Sequence, residues 1–146
     1  MYKGSCLCGK IRYTIEGELS DFSYCHCSSC RKASGSAFAA NAGLERKNFV
    51  LTDPEGVLRE YESSPGKFRA FCSHCGSPLY AYLAKTPEWI RLRLGSLDSP
   101  FSGRARVHIF VGDKAGWDVI HDDLPQFEGW APPDVFALKG SKQPGN

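Results

Sequence analysis

Apolar and polar residues alternate along several short segments of the chain, as they do in strands that bury one face. The alternation is strict at residues 10–16 and 90–94, and it recurs at 107–111 with a large aromatic ring on the second face. Weaker β character marks residues 57–61, and two further segments, 68–71 and 79–83, lead into and out of a cysteine-containing turn. The pattern predicts a mainly β fold.

Helical periodicity is scarce in the same sequence. Residues 44–49 predict one or two helical turns, whereas residues 117–135 carry several prolines and aromatic residues and are expected to cover the sheets as irregular structure. No linker or repeat interrupts the chain. We therefore expect one β domain over residues 1–138 and a disordered tail at 139–146, whose composition is polar and glycine-containing.

Charge and composition narrow the class of protein. The chain has 146 residues, and 18 basic against 16 acidic residues give a net charge of +2, with no basic run typical of nucleic-acid binding. No apolar stretch has the length of a signal peptide or of a membrane span. We expect a cytoplasmic protein with no nucleic-acid or membrane partner.

The seven cysteines are the main chemical signal in the sequence. In a reducing compartment, closely spaced cysteines are metal ligands or catalytic groups more often than disulfides. A disulfide framework is the less favoured alternative, and it would leave one thiol unpaired. The cysteines fall into three short groups: Cys6 with Cys8, then Cys25, Cys27 and Cys30, then Cys72 with Cys75.

Two of these groups share a glycine directly after their second cysteine. Gly9 follows Cys8 and Gly76 follows Cys75, and glycine tolerates the positive φ that a sharp metal-binding turn often needs. The matching ends predict one closed, structural four-cysteine zinc site on Cys6, Cys8, Cys72 and Cys75. Spacing alone leaves open which turns meet.

The third group, Cys25, Cys27 and Cys30, offers only three sulfur ligands. Catalytic zinc sites characteristically have three protein ligands and an exchangeable fourth position. Three thiolates give a Zn²⁺ site a net charge of −1, which the neighbouring Arg31 and Lys32 could offset, or these two cations could attract an anionic ligand. The alternatives are a site closed by a histidine or carboxylate from elsewhere, and a reactive thiol cluster without metal.

The four histidines are weak candidates for that missing ligand. An ordinary surface or hydrogen-bonding role is the favoured interpretation for each of them: His26, His74, His108 and His121.

The ordered cysteine motifs resemble those of the glutathione-dependent formaldehyde-activating enzyme family, to which the centromere protein V domain also belongs. The resemblance covers nearly the whole chain up to about residue 124. It rests on residues 4–13 (GSCLCGKIRY), 25–32 (CHCSSCRK) and 71–79 (FCSHCGSPL), together with 95–98 (GSLD), 107–110 (VHIF) and Trp117.

The resemblance implies a fold and a reaction. The fold is a β-tent of packed antiparallel sheets around zinc, and the reaction condenses formaldehyde with glutathione to S-(hydroxymethyl)glutathione, formally a carbon–sulfur lyase activity. It also implies two Zn²⁺ ions, a structural one on Cys6, Cys8, Cys72 and Cys75 and a catalytic one on Cys25, Cys27 and Cys30.

Two mechanisms suit an open fourth position. Either a substrate thiolate takes it and attacks a small carbonyl, or the metal polarises the carbonyl oxygen. A substrate with carboxylates, such as glutathione, would suit Arg31 and Lys32 as its binding residues. A second set of cations is less well placed, and a solvated surface position is the favoured interpretation for them: Arg46, Lys47, Lys67 and Arg69.

Two functions from other classes compete with an enzyme. One is a zinc-stabilised protein-binding module, whose interface, for example in a homodimer, could use the aromatic residues Phe127, Trp130 and Phe136; such residues more often cover a core. The other is a redox sensor, because thiolates released from zinc at Cys25, Cys27 and Cys30 would oxidise.

Overall fold

The computed structural model describes residues 1–136, which form ten strands, one α-helix and four 3₁₀ turns. The strands are β1 Tyr2–Ser5, β2 Arg12–Ile15, β3 Phe22–Cys25, β4 Ala39–Glu45, β5 Phe49–Thr52, β6 Leu58–Ser64, β7 Lys67–Cys72, β8 Pro78–Leu83, β9 Trp89–Arg93 and β10 Ala105–Ile109. The α-helix, α1, is Ser28–Ser34, and the 3₁₀ turns are Arg46–Asn48, Leu94–Ser96, Val111–Asp113 and Pro133–Phe136.

The strands form two sheets. The small sheet has the antiparallel order β1-β2-β5, and the large sheet has the order β10-β3-β4-β9-β8-β7-β6. Neighbours in the large sheet are antiparallel except β10 and β3, which run parallel. The predicted mainly β fold of packed antiparallel sheets with little helix, which the family resemblance implies as a β-tent, is confirmed.

The main core lies between the two sheets. Tyr13 and Ile15 of β2 are almost fully buried against Ile90 and Leu92 of β9, and Leu79 of β8 is buried with them. Burying side chains of this size contributes about 1.5–3 kcal/mol each relative to leaving them exposed. The large sheet therefore presents one apolar face to the small sheet.

The opposite face of the large sheet has a different character. Side chains alternate between faces along a strand, so Arg91 and Arg93 of β9 point away from the core that holds Ile90 and Leu92. The register pairs Arg93 with Asn41 of β4 and Arg91 with Ala81 of β8. Polar and small residues thus line this second face, and the end of β3 brings Cys25 to it.

The six predicted strand segments are all present, with shifted ends, as β2, β6, β7, β8, β9 and β10. The segment 107–111 was expected to stay extended throughout, but β10 ends at Ile109 because Phe110 adopts a left-handed conformation with φ 56°. The predicted turn at 44–49 is the 3₁₀ turn Arg46–Asn48. Of the segment 117–135, expected to be irregular, residues 117–132 form no helix or strand apart from a bridge between Gln126 and His108, but its last residues belong to the 3₁₀ turn Pro133–Phe136.

Four strands and the helix were not predicted. The missed strands, β1, β3, β4 and β5, are short or, in β4, made largely of small residues. The predicted tail, 139–146, lies outside the described residues. No helix within residues 1–136 is both long enough and apolar enough to span a lipid bilayer.

Candidate metal centres and the adjoining cavity

The first cysteine cluster joins the start of the chain to the turn between β7 and β8. The Sγ atoms of Cys6, Cys8, Cys72 and Cys75 all lie within 4.8 Å of one another. Cys6 and Cys8 are 3.5 Å apart at Sγ, and Cys8 and Cys72 are 3.9 Å apart. Sulfurs around a tetrahedral Zn²⁺ at about 2.3 Å are about 3.8 Å apart, so this donor set fits zinc.

Glycine permits the two turns that present these sulfurs. Gly9 has φ 75° and Gly76 has φ 79°, conformations that side chains with a Cβ rarely adopt. The Gly9 amide donates to the Cys6 carbonyl at 3.0 Å, and the Gly76 amide donates to the Cys72 carbonyl at 2.7 Å. Both turns thus have the glycine-dependent conformation that was predicted, and the distances between their sulfurs show that they meet in space.

Local hydrogen bonds favour the thiolate at two sulfurs of this cluster, Cys6 and Cys75. At Cys8 the Lys10 amide lowers the thiol pKa, but burial and hydrogen bonds shared with the other cysteines outweigh it and raise that pKa to about 11. The Ile11 amide donates to Cys6 Sγ at 3.3 Å. Burial raises the pKa of the Cys75 thiol, but hydrogen bonds with Ser77 outweigh it and lower that pKa to about 5. Negative sulfur at neutral pH is the state that a metal ligand requires.

The second cluster forms where β3 passes into α1. The Sγ atoms of Cys25, Cys27 and Cys30 lie within 4.8 Å of one another; Cys25 and Cys30 are buried and Cys27 is half-buried. Cys27 is the N-cap of α1, and its sulfur accepts a hydrogen bond from the Cys30 amide at 3.3 Å. The helix was missed because serine and cysteine are weak helix formers, and this cap places Cys30 one turn after Cys27.

Within residues 1–136 no histidine or carboxylate joins this three-sulfur group. Residues 137–146 contain no histidine, cysteine, aspartate or glutamate. Protein side chains could thus supply three metal ligands here and four in the first cluster.

Two buried arginines lie beside the second cluster. Arg69 is 8% exposed, and its Nη1 is 3.9 Å from Cys30 Sγ. Hydrogen bonds from Cys25 and Cys27 lower the pKa of the Cys30 thiol, and the charges of Arg93 and Arg69 lower it further. The same shared hydrogen bonds raise the pKa of Cys25. The environment therefore favours one negative charge in the cluster, on Cys30.

A cavity of about 330 Å³ opens beside the three sulfurs. Besides the three cysteines, its lining includes three cations, Lys67, Arg91 and Arg93, and three aromatic residues, Tyr82, Phe110 and Trp130. The cavity combines a metal-binding cluster, positive charge and apolar surface, which are the components of a small-molecule site.

The cations that line the cavity are not the ones the sequence favoured. Arg31 and Lys32 lie on α1, and neither is among the described residues that line the cavity. The surface position expected for Lys67 and Arg69 is wrong: Lys67 lines the cavity and Arg69 is buried. The surface position expected for Lys47 is confirmed, since its ammonium pairs with Glu45 at the exposed surface.

Arg91 and Arg93 were missed as site residues. Their signal was visible, because both stand on the polar side of the alternating segment 90–94. A polar side usually faces solvent, but β9 lies in the middle of the large sheet and its polar side faces the cavity.

Two of the histidines, His26 and His108, form hydrogen bonds in the interior, which is one of the roles expected of them. His26 is fully buried, and His108 is 2% exposed. His26 Nε2 is 2.8 Å from His108 Nδ1, and His108 Nε2 is 2.9 Å from Asp122 Oδ2. Asp122 was not foreseen as the end of this chain of hydrogen bonds.

Comparison with known proteins places the chain in a family. Residues 1–113 match the family described as glutathione-dependent formaldehyde-activating enzyme. A Halomonas elongata protein with that provisional name is 31% identical over 125 residues, which is 80% of this chain and 79% of that protein. The chain belongs to the glutathione-dependent formaldehyde-activating enzyme family.

More distant relatives span the same region. An Aspergillus flavus protein with the same provisional name is 27% identical over 86% of this chain, and the aligned region is only 58% of that relative's length. An uncharacterized lyase of Schizosaccharomyces pombe is 36% identical over 91 residues, covering 61% of this chain and 64% of the lyase. A Rhodobacter sphaeroides crystal structure superimposes with a TM-score of 0.57 at 22% identity, covering 68% of this chain and 91% of that one, which shows the shared fold.

Proposed function

We propose that this protein is a zinc-dependent enzyme of the carbon–sulfur lyase type, acting on a thiol such as glutathione and a small carbonyl such as formaldehyde. The observation that carries the proposal is the second cluster: three cysteine sulfurs, without a fourth protein ligand in the described part of the chain, face a cavity of about 330 Å³. A closed structural site would have four protein ligands.

Cys25, Cys27 and Cys30 would hold the catalytic Zn²⁺. Their sulfurs are soft donors within 4.8 Å of one another, which suits Zn²⁺. Bound there, Zn²⁺ would lower the pKa of a substrate thiol and hold its sulfur as a nucleophile at neutral pH.

The proposed reaction forms one carbon–sulfur bond. The thiol sulfur adds to the carbonyl carbon, the C=O double bond becomes a single bond, and the proton of the thiol ends on the former carbonyl oxygen. The reverse reaction cleaves the same bond. Tyr82, Phe110 and Trp130 would exclude water from the cavity in which the two substrates meet.

The four-cysteine cluster has a structural part in this proposal. It would bind the second Zn²⁺ and fasten residues 6–8 to the turn after β7. Structural zinc contributes folding free energy directly. The four-cysteine cluster is separate from the cavity cysteines, so loss of its zinc should affect folding rather than substrate chemistry.

The cavity also bears on the competing interpretation as a protein-binding module. A binding module needs an outward surface, whereas Cys25 and Cys30 are 5% and 2% exposed and lie in the lining of a cavity. This placement favours a small substrate over a protein partner.

The test is the rate at which S-(hydroxymethyl)glutathione forms from formaldehyde and glutathione. Exchange NMR measures this rate with the protein and compares it with the rate of the uncatalysed reaction. We expect the zinc-loaded protein to accelerate exchange, and Cys27→Ser to abolish the acceleration and one of two bound zinc ions while staying folded. Ser29→Ala, an exposed position on the same helix, is the matched control. A wild-type rate equal to the uncatalysed one, or full metal content in Cys27→Ser, would contradict the proposal.

A further inference from the structure

A row of cations crosses the cavity face of the large sheet. The register places Arg69 of β7 next to Ala81 of β8, and Ala81 next to Arg91 of β9. On its other side Arg91 pairs with Gly43 of β4. Arg91 therefore has a small residue, Gly43 or Ala81, as its paired neighbour on each side.

Two more cations share this face. Lys67 lies two residues from Arg69 on β7, and Arg93 lies two residues from Arg91 on β9, so strand alternation brings all of them to one side. Like charges on neighbouring strands destabilise a sheet. Burial, followed by the charge of Arg69, lowers the pKa of the Lys67 ammonium. Such a cluster calls for an anionic counterpart.

The protein itself does not supply enough negative charge. No aspartate or glutamate is among the described residues that line the cavity, and residues 137–146 contain neither. The ion pairs found within residues 1–136 include none of these four cations. Three thiolates with one Zn²⁺ carry a net charge of −1, so a surplus of positive charge remains.

The four cations differ in whether the protein provides hydrogen-bond acceptors for them. Arg69 Nε donates to Ser63 Oγ at 2.8 Å while its Nη1 faces Cys30, and Arg93 Nη1 donates to Asn41 Oδ1. Hydrogen bonds therefore fix the positions of Arg69 and Arg93 beside the cysteine cluster. In the described part of the chain, by contrast, Lys67 and Arg91 have no hydrogen-bond acceptor, although both line the cavity.

Arg91 is nevertheless held in place. Its Cζ lies 4.9 Å from the centroid of the Trp130 ring, a cation–π contact that orients a guanidinium without occupying its N–H groups. Its donors are therefore positioned for a planar anion, and a guanidinium binds carboxylate through two parallel hydrogen bonds.

We infer that the cavity takes a substrate with more carboxylate than ammonium groups, and that Lys67 and Arg91 bind its carboxylates beside the cysteine cluster. This inference rests on the proposed function, since it names the class of substrate for that site. Glutathione carries two carboxylates and one ammonium group. The cavity gives the carboxylates two cations and gives the ammonium group no acidic partner.

Binding of S-methylglutathione, measured by titration calorimetry, tests the inference without catalysis, because this thioether keeps both carboxylates and lacks the thiol. We expect the diethyl ester to bind at least about tenfold more weakly, since it loses charge-assisted hydrogen bonds. N-acetylation of the ammonium group should leave affinity equal or higher. Equal affinity of the acid and its diester would overturn the inference.

Variants locate the carboxylate site. Arg91→Gln and Lys67→Gln should each weaken binding of S-methylglutathione at least about tenfold, and Arg91→Lys should recover part of the loss by keeping the charge. Lys3→Gln and Arg104→Gln remove exposed cations that are not among the residues lining the cavity and should bind as wild type does. Near-UV circular dichroism checks that each variant is folded. Wild-type affinity in both Arg91→Gln and Lys67→Gln would refute the assignment.

The carboxylate could also belong to the carbonyl substrate instead of the thiol substrate. Glyoxylate serves as the probe: if it binds in an Arg91-dependent way and S-methylglutathione does not bind, the same site serves an oxo acid. Failure of the proposed function is a separate outcome, seen as no rate acceleration in a protein that still binds carboxylates through Lys67 and Arg91.

Discussion

His26 and His108 are joined ring to ring by a hydrogen bond of 2.8 Å between His26 Nε2 and His108 Nδ1. The Asp122 carboxylate faces His108 Nε2 at 2.9 and 3.0 Å. A carboxylate accepts, so His108 Nε2–H donates to Asp122, and His108 Nδ1 is left to accept from His26 Nε2–H. The His26 amide also donates to the Ile109 carbonyl at 2.9 Å. His26, which lies between Cys25 and Cys27, thus forms two hydrogen bonds with β10.

Replacing His108 with leucine should destabilise the protein. The substitution keeps an apolar body in the core but leaves the buried His26 N–H without an acceptor, which costs about 1–3 kcal/mol. Urea unfolding followed by circular dichroism measures the difference. His121, which is exposed, provides the matched control, and His121→Leu should stay within about 0.5 kcal/mol of wild type. Equal stability of both variants would mean that the His26 contact does not stabilise the fold.

Replacing Cys72 with serine should have a larger effect than replacing Cys27. Cys72 is fully buried at the end of β7, and its cluster connects distant parts of the chain. Structural zinc contributes about 10 kcal/mol or more to folding, which is comparable with the whole stability of about 5–15 kcal/mol for a typical domain. We expect Cys72→Ser to be largely unfolded or insoluble, while Cys27→Ser keeps its near-UV circular dichroism.

The opposite ranking of these two cysteine variants would reverse the roles of the clusters. A Cys72→Ser protein that melts like wild type and retains two zinc ions would show that Cys6, Cys8, Cys72 and Cys75 are not a structural site.

Gly4 should not tolerate a side chain. A Cβ at this position would lie 2.1 Å from the ring of Tyr13 and 2.6 Å from the Ser96 carbonyl oxygen. Tyr13 cannot move away easily, since it is 2% exposed and its hydroxyl is 2.8 Å from Ser96 Oγ. We expect Gly4→Ala to cost about 1–3 kcal/mol through overpacking, measured as a shift of the thermal or urea midpoint.

Gly116 supplies the control for this substitution. A Cβ there meets no atom within 4 Å, so Gly116→Ala should be nearly neutral. If Gly4→Ala were equally neutral, the close packing of β1 against Tyr13 would be absent in solution.

The predictable part of the fold is the part with clean alternation. Strands β2, β9 and β10 were foreseen because one of their faces enters the core while polar residues occupy the other. Strand β4 was not predicted because its sequence, AANAGLE, has small residues on both faces. Pairing with its neighbours β3 and β9, rather than its own pattern, holds it in the sheet. Register between distant strands is a tertiary property that local patterns do not contain.

The same distinction applies to the site. The cysteine clusters could be found in the sequence because chelating residues lie close together along the chain, as in Cys25, Cys27 and Cys30. The cations that line the cavity could not be found in this way, since Lys67 and Arg91 come together only through the pairing of β7, β8 and β9. Arg31 and Lys32 were favoured because they are neighbours in sequence, but a helix turns successive side chains in different directions.

The absorption spectrum of the cobalt-substituted protein, before and after addition of glutathione, tests the central claim most directly. The claim is that Cys25, Cys27 and Cys30 hold a metal whose remaining position accepts an external thiol. We predict that glutathione changes the d–d and sulfur-to-cobalt bands, that S-methylglutathione changes them far less, and that Cys27→Ser removes the response. An unchanged spectrum with two four-coordinate cobalt ions would mean that the protein closes both sites itself, which would contradict the account.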